Sequence, residues 1–368
     1  MKVFANILVF LLMSTPLTWS ANWPSSRGNQ QLTGVVSERI PLSVQLKWSV
    51  PLGKELKASP VVYNQKIVIG STDGTLYCLD FAGKILWSFK TDNAIEASAL
   101  ILNNTVYVGN LSGHLFAVDL TTGRQKWKYT ANNQFMAACN YWTDGTKTYI
   151  LAGNYDYFLH CLDAKTGKLI WKYEAENYLN AAVSVENSMA VFGGCDGELH
   201  VVNVLTGKEL FAKSIASYVA SSATIENGLA YVGDYDGKVT CFNLVQKKNK
   251  WIFDDPDKDI PFVGALAVLG NRVFIGCKDR FLYCLNKGTG QLLWKKNLGN
   301  PIEASPLLDA KNVLIANMRG ELFLLNQLDG TKLWMYDMGG PMIGSPALSN
   351  QHLFVSSVNG KLSCLIKK

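Results

Sequence analysis

The sequence predicts an all-β chain: an eight-bladed β-propeller of four-stranded antiparallel blades, closed by the N-terminal strand completing the last blade. Three observations predict it. A unit of about forty residues recurs eight times along the chain. Each copy holds four short strand patterns separated by hairpin-turn residues. A single outer-strand aromatic precedes the first copy, and the last copy stops short of its own, so the two chain ends can complete one blade.

The repeat begins with small residues: Ala58-Ser59-Pro60 returns as Ala97-Ser98-Ala99, Ala137-Ala138-Cys139, Ala181-Ala182-Val183, Ser221-Ser222-Ala223, Gly264-Ala265-Leu266, Ala304-Ser305-Pro306 and Gly344-Ser345-Pro346. A tight turn follows at Asp73-Gly74, Ser112-Gly113, Asp156-Tyr157, Asp196-Gly197, Asp236-Gly237, Asp279-Arg280, Arg319-Gly320 and Asn359-Gly360, at spacings of 39 to 44 residues. In the first copy, Val61-Val62, Ile67-Val68-Ile69, Leu76-Tyr77-Cys78-Leu79 and Ile85-Leu86-Trp87 are rich in β-branched and aromatic residues. No window keeps a helical apolar period.

The outer-strand aromatics are Trp48, Trp87, Trp127, Trp171, Phe211, Trp251, Trp294 and Trp334. Trp48 has no strands of its own before it, and the copy from Gly344 to Leu365 lacks an aromatic at its end. Joining Leu46–Val50 to that copy shuts the ring and removes an exposed sheet edge. Seven blades with a stray hairpin is the competing arrangement.

Composition is consistent with a folded body: 48% of the 368 residues are hydrophobic and 17% charged. The net charge of +6 is dispersed, so no nucleic-acid footprint is expected. Lys2 followed by the apolar run Val3–Met13 and the small residues Ser14–Ser20 reads as a secretory signal over residues 1–20, too short to span a bilayer. A buried N-terminal element is the competing reading. No Cys lies near the junction, so lipid attachment there is not expected, and no later segment reaches spanning length. Residues 21–45 form a lead segment and residues 46–368 the propeller. The mature chain is expected to be monomeric and periplasmic or secreted.

The segment Ala117-x-Asp119-x-x-x-Gly123-x-x-x-Trp127 and its counterparts ending at Trp171, Trp294 and Trp334 share one local logic. Asp or Asn ends a strand and bonds the turn, Gly takes its positive φ, and Trp returns on the outer strand. This resembles the tryptophan-docking repeat of the PQQ-like propeller family, which includes quinoprotein alcohol dehydrogenases and BamB-like outer-membrane assembly factors. The resemblance spans Leu46 to Leu365. Departures are Phe211 for Trp, a turn one residue short at Phe81-Ala82-Gly83, and Lys247 where Gly is expected.

Candidate chemistry is sparse. Cys78, Cys161, Cys241, Cys284 and Cys364 share one repeat position. Equivalent positions on neighbouring blades lie ~10 Å apart, beyond disulfide reach, so buried thiols are expected there. A bridge among Cys139, Cys195 and Cys277 is left open. Residues preceding the small triplets vary from blade to blade, and Lys57, Glu96, Asn180 and Glu303 are the channel-rim candidates for a small polar ligand or for plain solvated charge. His160 and His200 share a repeat position but show no third zinc ligand, so packing is favoured. Asp255, Asp257 and Asp259 alternate as in calcium loops, yet the Gly and distal Glu of an EF-hand are missing, making this a weak metal candidate.

No catalytic residue and no cofactor-binding residue is assigned. The resemblance implies either a scaffold for protein partners in the cell envelope, aiding outer-membrane protein assembly, or a dehydrogenase using PQQ and calcium. The first, non-enzymatic and without cofactor, is the primary expectation. A PQQ enzyme or relict, and a secreted glycan- or small-ligand-binding propeller, are the alternatives.

Overall fold

The computed structural model describes residues 22–215, 218–219, 221–255 and 259–368; the expected signal over 1–20 lies outside them. The described residues form eight four-stranded antiparallel sheets and no helix. In chain order, blades 1 to 7 span residues 61–90, 100–130, 140–174, 184–214, 224–254, 267–297 and 307–337. Blade 8 takes three strands from 347–367 and its fourth from Val44–Pro51, which pairs antiparallel with Lys361–Lys367. The predicted closure is thus the observed one, with Trp48 directly opposite Cys364.

Each outer strand carries one extra residue just before its aromatic, a bulge that shifts the register in all eight blades. The shift twists the outer strand and re-aims the ring. It also sets Trp87, Trp171, Trp251 and Trp294 opposite Cys78, Cys161, Cys241 and Cys284, so the shared cysteine position is the ladder partner of the docking indole.

Indole docking then links neighbours. Nε1 of Trp87 donates to Leu120 O (2.9 Å), Trp127 to Ala164 O (3.0 Å) and Trp171 to Val204 O (2.8 Å), each in the next blade's turn. The ring lies on the glycine of that turn. At Gly167, φ is +72° and an added Cβ would stand 2.6 Å from the Trp127 ring, so two constraints act on one residue. Trp334 meets no such turn, because blade 8 takes its outer strand from Val44–Pro51; Pro41 O of the lead segment accepts its N–H at 2.9 Å. Two departures in neighbouring blades meet each other: Lys247 of blade 5, at φ +53°, places Nζ 4.9 Å from the ring centroid of Phe211 in blade 4.

The apolar core is distributed as clusters between consecutive blades. The largest spans blades 7, 8 and 1 and takes in Trp23, Val36 and Ile40 of the lead segment. That segment runs round the channel. Every inner strand is an edge whose inward N–H groups need acceptors, and the lead segment supplies them. Val62, Ile101, Val185, Ile225, Val268 and Leu308 donate backbone N–H to the carbonyls of Trp23, Pro24, Gln30, Gln31, Thr33 and Gly34 at 2.7–3.2 Å. Asn140 Nδ2 reaches Gln30 O from blade 3, and Gln351 N reaches the Glu38 carboxylate from blade 8. One stretch of chain thereby touches all eight blades.

Candidate functional site

The channel holds an open pocket of about 220 Å³. The residues just before the small triplets reach it: Lys57, Glu96, Asn180 and Glu303 all line it, and Arg27 enters it from the lead segment. The rim charges are paired. Lys57 Nζ stands 2.8 Å from Glu96 Oε1 and 3.5 Å from Glu55, and Lys278 Nζ stands 3.1 Å from Glu303. The Glu96 hydrogen bond raises the Lys57 pKa above its ordinary value against the opposing effect of burial. Lys57 and Glu96 are therefore brought together, while Glu303 is held by a lysine of the blade-6 turn. Asn180 Oδ1 is buried without a protein partner.

Below the rim, serines of the small triplets bridge blades. Ser98 Oγ accepts the Ser59 N–H, Ser305 the Ala265 N–H, Ser345 the Ser305 N–H and Ser59 the Ser345 N–H, at 2.8–3.1 Å. The small residues of the repeat are thus explained: neighbouring inner strands approach closely enough for one hydroxyl to cross.

Around the open mouth, two loops of each blade are tied by one backbone bond, as from Thr72 N to Glu55 O or Tyr235 N to Tyr218 O. On blades 3 to 5 these loops carry Tyr155, Tyr157, Tyr178, Tyr218 and Tyr235. Tyr155 stacks on Tyr178 at 4.8 Å between centroids, Tyr157 leans on Tyr178 at 5.2 Å, and Tyr218 meets Tyr235 edge-on at 4.6 Å. Tyr157, Tyr178 and Tyr235 are 41%, 39% and 42% exposed. Tyr157 sits at φ +73°, in a turn position held by Gly in six of the blades; a left-handed non-glycine residue costs ~1–2 kcal/mol. Burial, then Cys195 and the neighbouring tyrosines, raises the Tyr155 pKa, keeping its hydroxyl a neutral donor. This arc was missed in the sequence. The departure from Gly at Asp156-Tyr157 was its available signal.

The other candidates resolve as follows. All eight cysteines, Cys139, Cys195 and Cys277 among them, are buried and none is in a disulfide. His160 and His200 are 1% and 2% exposed. Each places Nε2 3.0 Å from the aspartate four residues earlier, Asp156 or Asp196, and Nδ1 3.0 Å from the hydroxyl of Tyr129 or Tyr173. Tyr77 and Tyr283 occupy the same position and donate to Asp73 and Asp279. The repeat position is a clamp on the Asp turn. Asp255 is ion-paired with Lys295 at 2.9 Å, Asp259 is exposed, and Asp257 lies outside the described residues.

The PQQ–calcium pair implied by the resemblance does not fit the donors present. Among the described residues no three carboxylate, His or Cys side chains gather to hold a cation. Both carboxylates lining the cavity already face lysines.

Comparison with known proteins extends this picture. A family model described as outer membrane protein assembly factor BamB matches residues 34–154, 155–298 and 278–366. No curated protein sequence matches the chain. Among solved structures, BamB from Moraxella catarrhalis superposes with a TM-score of 0.76 at 17% identity, covering 88% of this chain and 99% of that one. The computationally designed Ika8 protein gives 0.77 at 18% identity, covering 87% and 99%. A europium-containing methanol dehydrogenase gives 0.79 at 12% identity, covering 94% and 98%. At these identities the structural likenesses show the fold alone. The family match runs across nearly the whole described chain, and the chain belongs to the PQQ-repeat propeller family described as outer membrane protein assembly factor BamB.

Proposed function

We propose that this protein is an exported, non-enzymatic scaffold that holds protein partners of the cell envelope at its open rim, in the service of outer-membrane protein assembly. The observation that carries the reading is the tyrosine arc of blades 3 to 5. Tyrosine offers large, rigid, amphipathic contact area at small entropic cost, and neighbouring Asn side chains add adaptable hydrogen bonding. Asn132, Asn133 and Asn177 flank these rings. A strained, exposed Tyr157 adds nothing to the core and fits a surface role rather than a fold role. Short loops and the mismatch with a calcium–quinone site favour binding over catalysis, and family membership favours the envelope.

The test is site-specific photo-crosslinking in cells, with the reactive residue at Tyr178 or Tyr235 and a control at Leu328 on blade 7. The expected product is a defined adduct with an outer-membrane assembly component from the rim positions only. Equal adducts from the control position, or none from the rim, would refute the proposal.

A further inference from the structure

Arg27 is 3% exposed, yet it lines the channel cavity. Its Nη1 donates to Pro306 O at 2.7 Å and its Nη2 to Leu266 O at 2.8 Å, spanning blades 6 and 7. A guanidinium has five N–H donors, and these two bonds leave Nε–H buried without a protein acceptor. Burial alone acts on its acidity, pushing the pKa down to about 9, with no carboxylate near enough to oppose it. A buried charge without a counter-charge is costly. The rim lysines Lys57 and Lys278 are taken up by Glu55, Glu96 and Glu303, and among the described residues no carboxylate pairs with Arg27.

The hydroxyls of Ser59, Ser98, Ser305 and Ser345 line the same space. Each oxygen accepts a backbone N–H from the neighbouring blade, which leaves its own O–H free to donate. A buried cation and converging hydroxyl donors are the chemistry of an oxyanion receptor. About 220 Å³ accommodates one small anion with a few waters. We propose that Arg27 and this serine ring form a channel anion site that takes a small oxyanion, a phosphate or a carboxylate group, beside the Arg27 guanidinium. The site is independent of the rim tyrosines and of any protein partner.

The experiment titrates the purified full chain with sodium phosphate and, separately, sodium acetate, at constant ionic strength made up with chloride. Two readouts are followed: the melting temperature, and the ¹H–¹⁵N resonances of arginine Nε–H groups. The expected result is a saturable rise of about 3–5 °C at a hundredfold excess over Kd, with one slowly exchanging Nε–H resonance moving in step. Arg27→Met, similar in volume, abolishes both. A response to phosphate alone, to acetate alone or to both assigns the anion class. Absence of any response in the native chain, or its persistence in Arg27→Met, overturns the proposal. If Arg27→Met does not fold, Ser305→Ala and Ser345→Ala serve instead. Each should weaken binding about fivefold, and unchanged affinity in both overturns it.

Discussion

The junction of blades 4 and 5 offers a direct test of how the blades are coupled. Phe211 replaces the docking Trp, and Lys247 replaces the Gly on which that Trp would lie. Restoring the indole alone, Phe211→Trp, drives it onto a side chain. At the equivalent glycines a Cβ would stand 2.6–2.9 Å from the ring, and such overpacking costs ~1–3 kcal/mol. Lys247→Gly alone loses a cation–π contact worth ~0.5–1 kcal/mol. It also relieves left-handed strain of ~1–2 kcal/mol at φ +53°, so its net effect is a stabilisation of about 0.5–1 kcal/mol. The double variant gains an indole hydrogen bond to Leu244 O, worth ~1 kcal/mol, and some apolar burial. It should therefore exceed the native protein in stability by ~1–2 kcal/mol. The coupling between the two sites is then about 3 kcal/mol, at the upper end of what contacting pairs show. Equilibrium urea unfolding of the four proteins, followed by far-ultraviolet circular dichroism, measures it. If the single changes add to the double within ~0.5 kcal/mol, the docking argument is wrong.

Ending the chain at Asn359 removes the strand that joins Val44–Pro51 to His352–Ser356; the exposed edges should move the size-exclusion peak to larger species than the full chain gives. Burial raises the Asp156 and Asp196 pKa values, but the hydrogen bonds and charges of His160 and His200 outweigh it and leave both lowered. A carboxyl depressed in the folded state contributes stability that is complete above its unfolded pKa of ~3.9 and lost as pH falls through the folded value. The double variant Asp156→Asn/Asp196→Asn should therefore show a shallower loss of stability below about pH 4 in acid-titrated urea midpoints. Burial pushes Cys78, Cys139, Cys284 and Cys364 up to about 12. A chromogenic disulfide reagent at pH 8 should leave these four thiols unreacted in the native protein and titrate all eight in denaturant.

Much of the architecture was legible because the repeat is local. Strand alternation, turn residues and the Asp-x-x-x-Gly-x-x-x-Trp spacing each act within about a dozen residues, and eight copies reinforce one pattern. Closure followed from Trp48 having no copy of its own. The rim candidates Lys57, Glu96, Asn180 and Glu303 were found by their variability within the frame, and all four line the cavity. The role of His160 as a clamp on Asp156 is also local, four residues apart, but it becomes readable only when Tyr77 and Tyr283 are seen in the same place.

Other features depend on contacts across the ring. Phe211 and Lys247 read as two separate lapses until the fold lays one on the other. The lead segment has no repeat, so no periodicity assigns its partners; its course is set by eight inner strand edges that must find acceptors. Arg27 lies 239 and 279 residues from the carbonyls that hold it. Sequence by itself determined the blades, because backbone alternation and turn chemistry are short-range forces. Only the tertiary structure decided what fills the channel and which tyrosines share a rim, because burial and charge compensation are properties of the closed circle and not of any one blade.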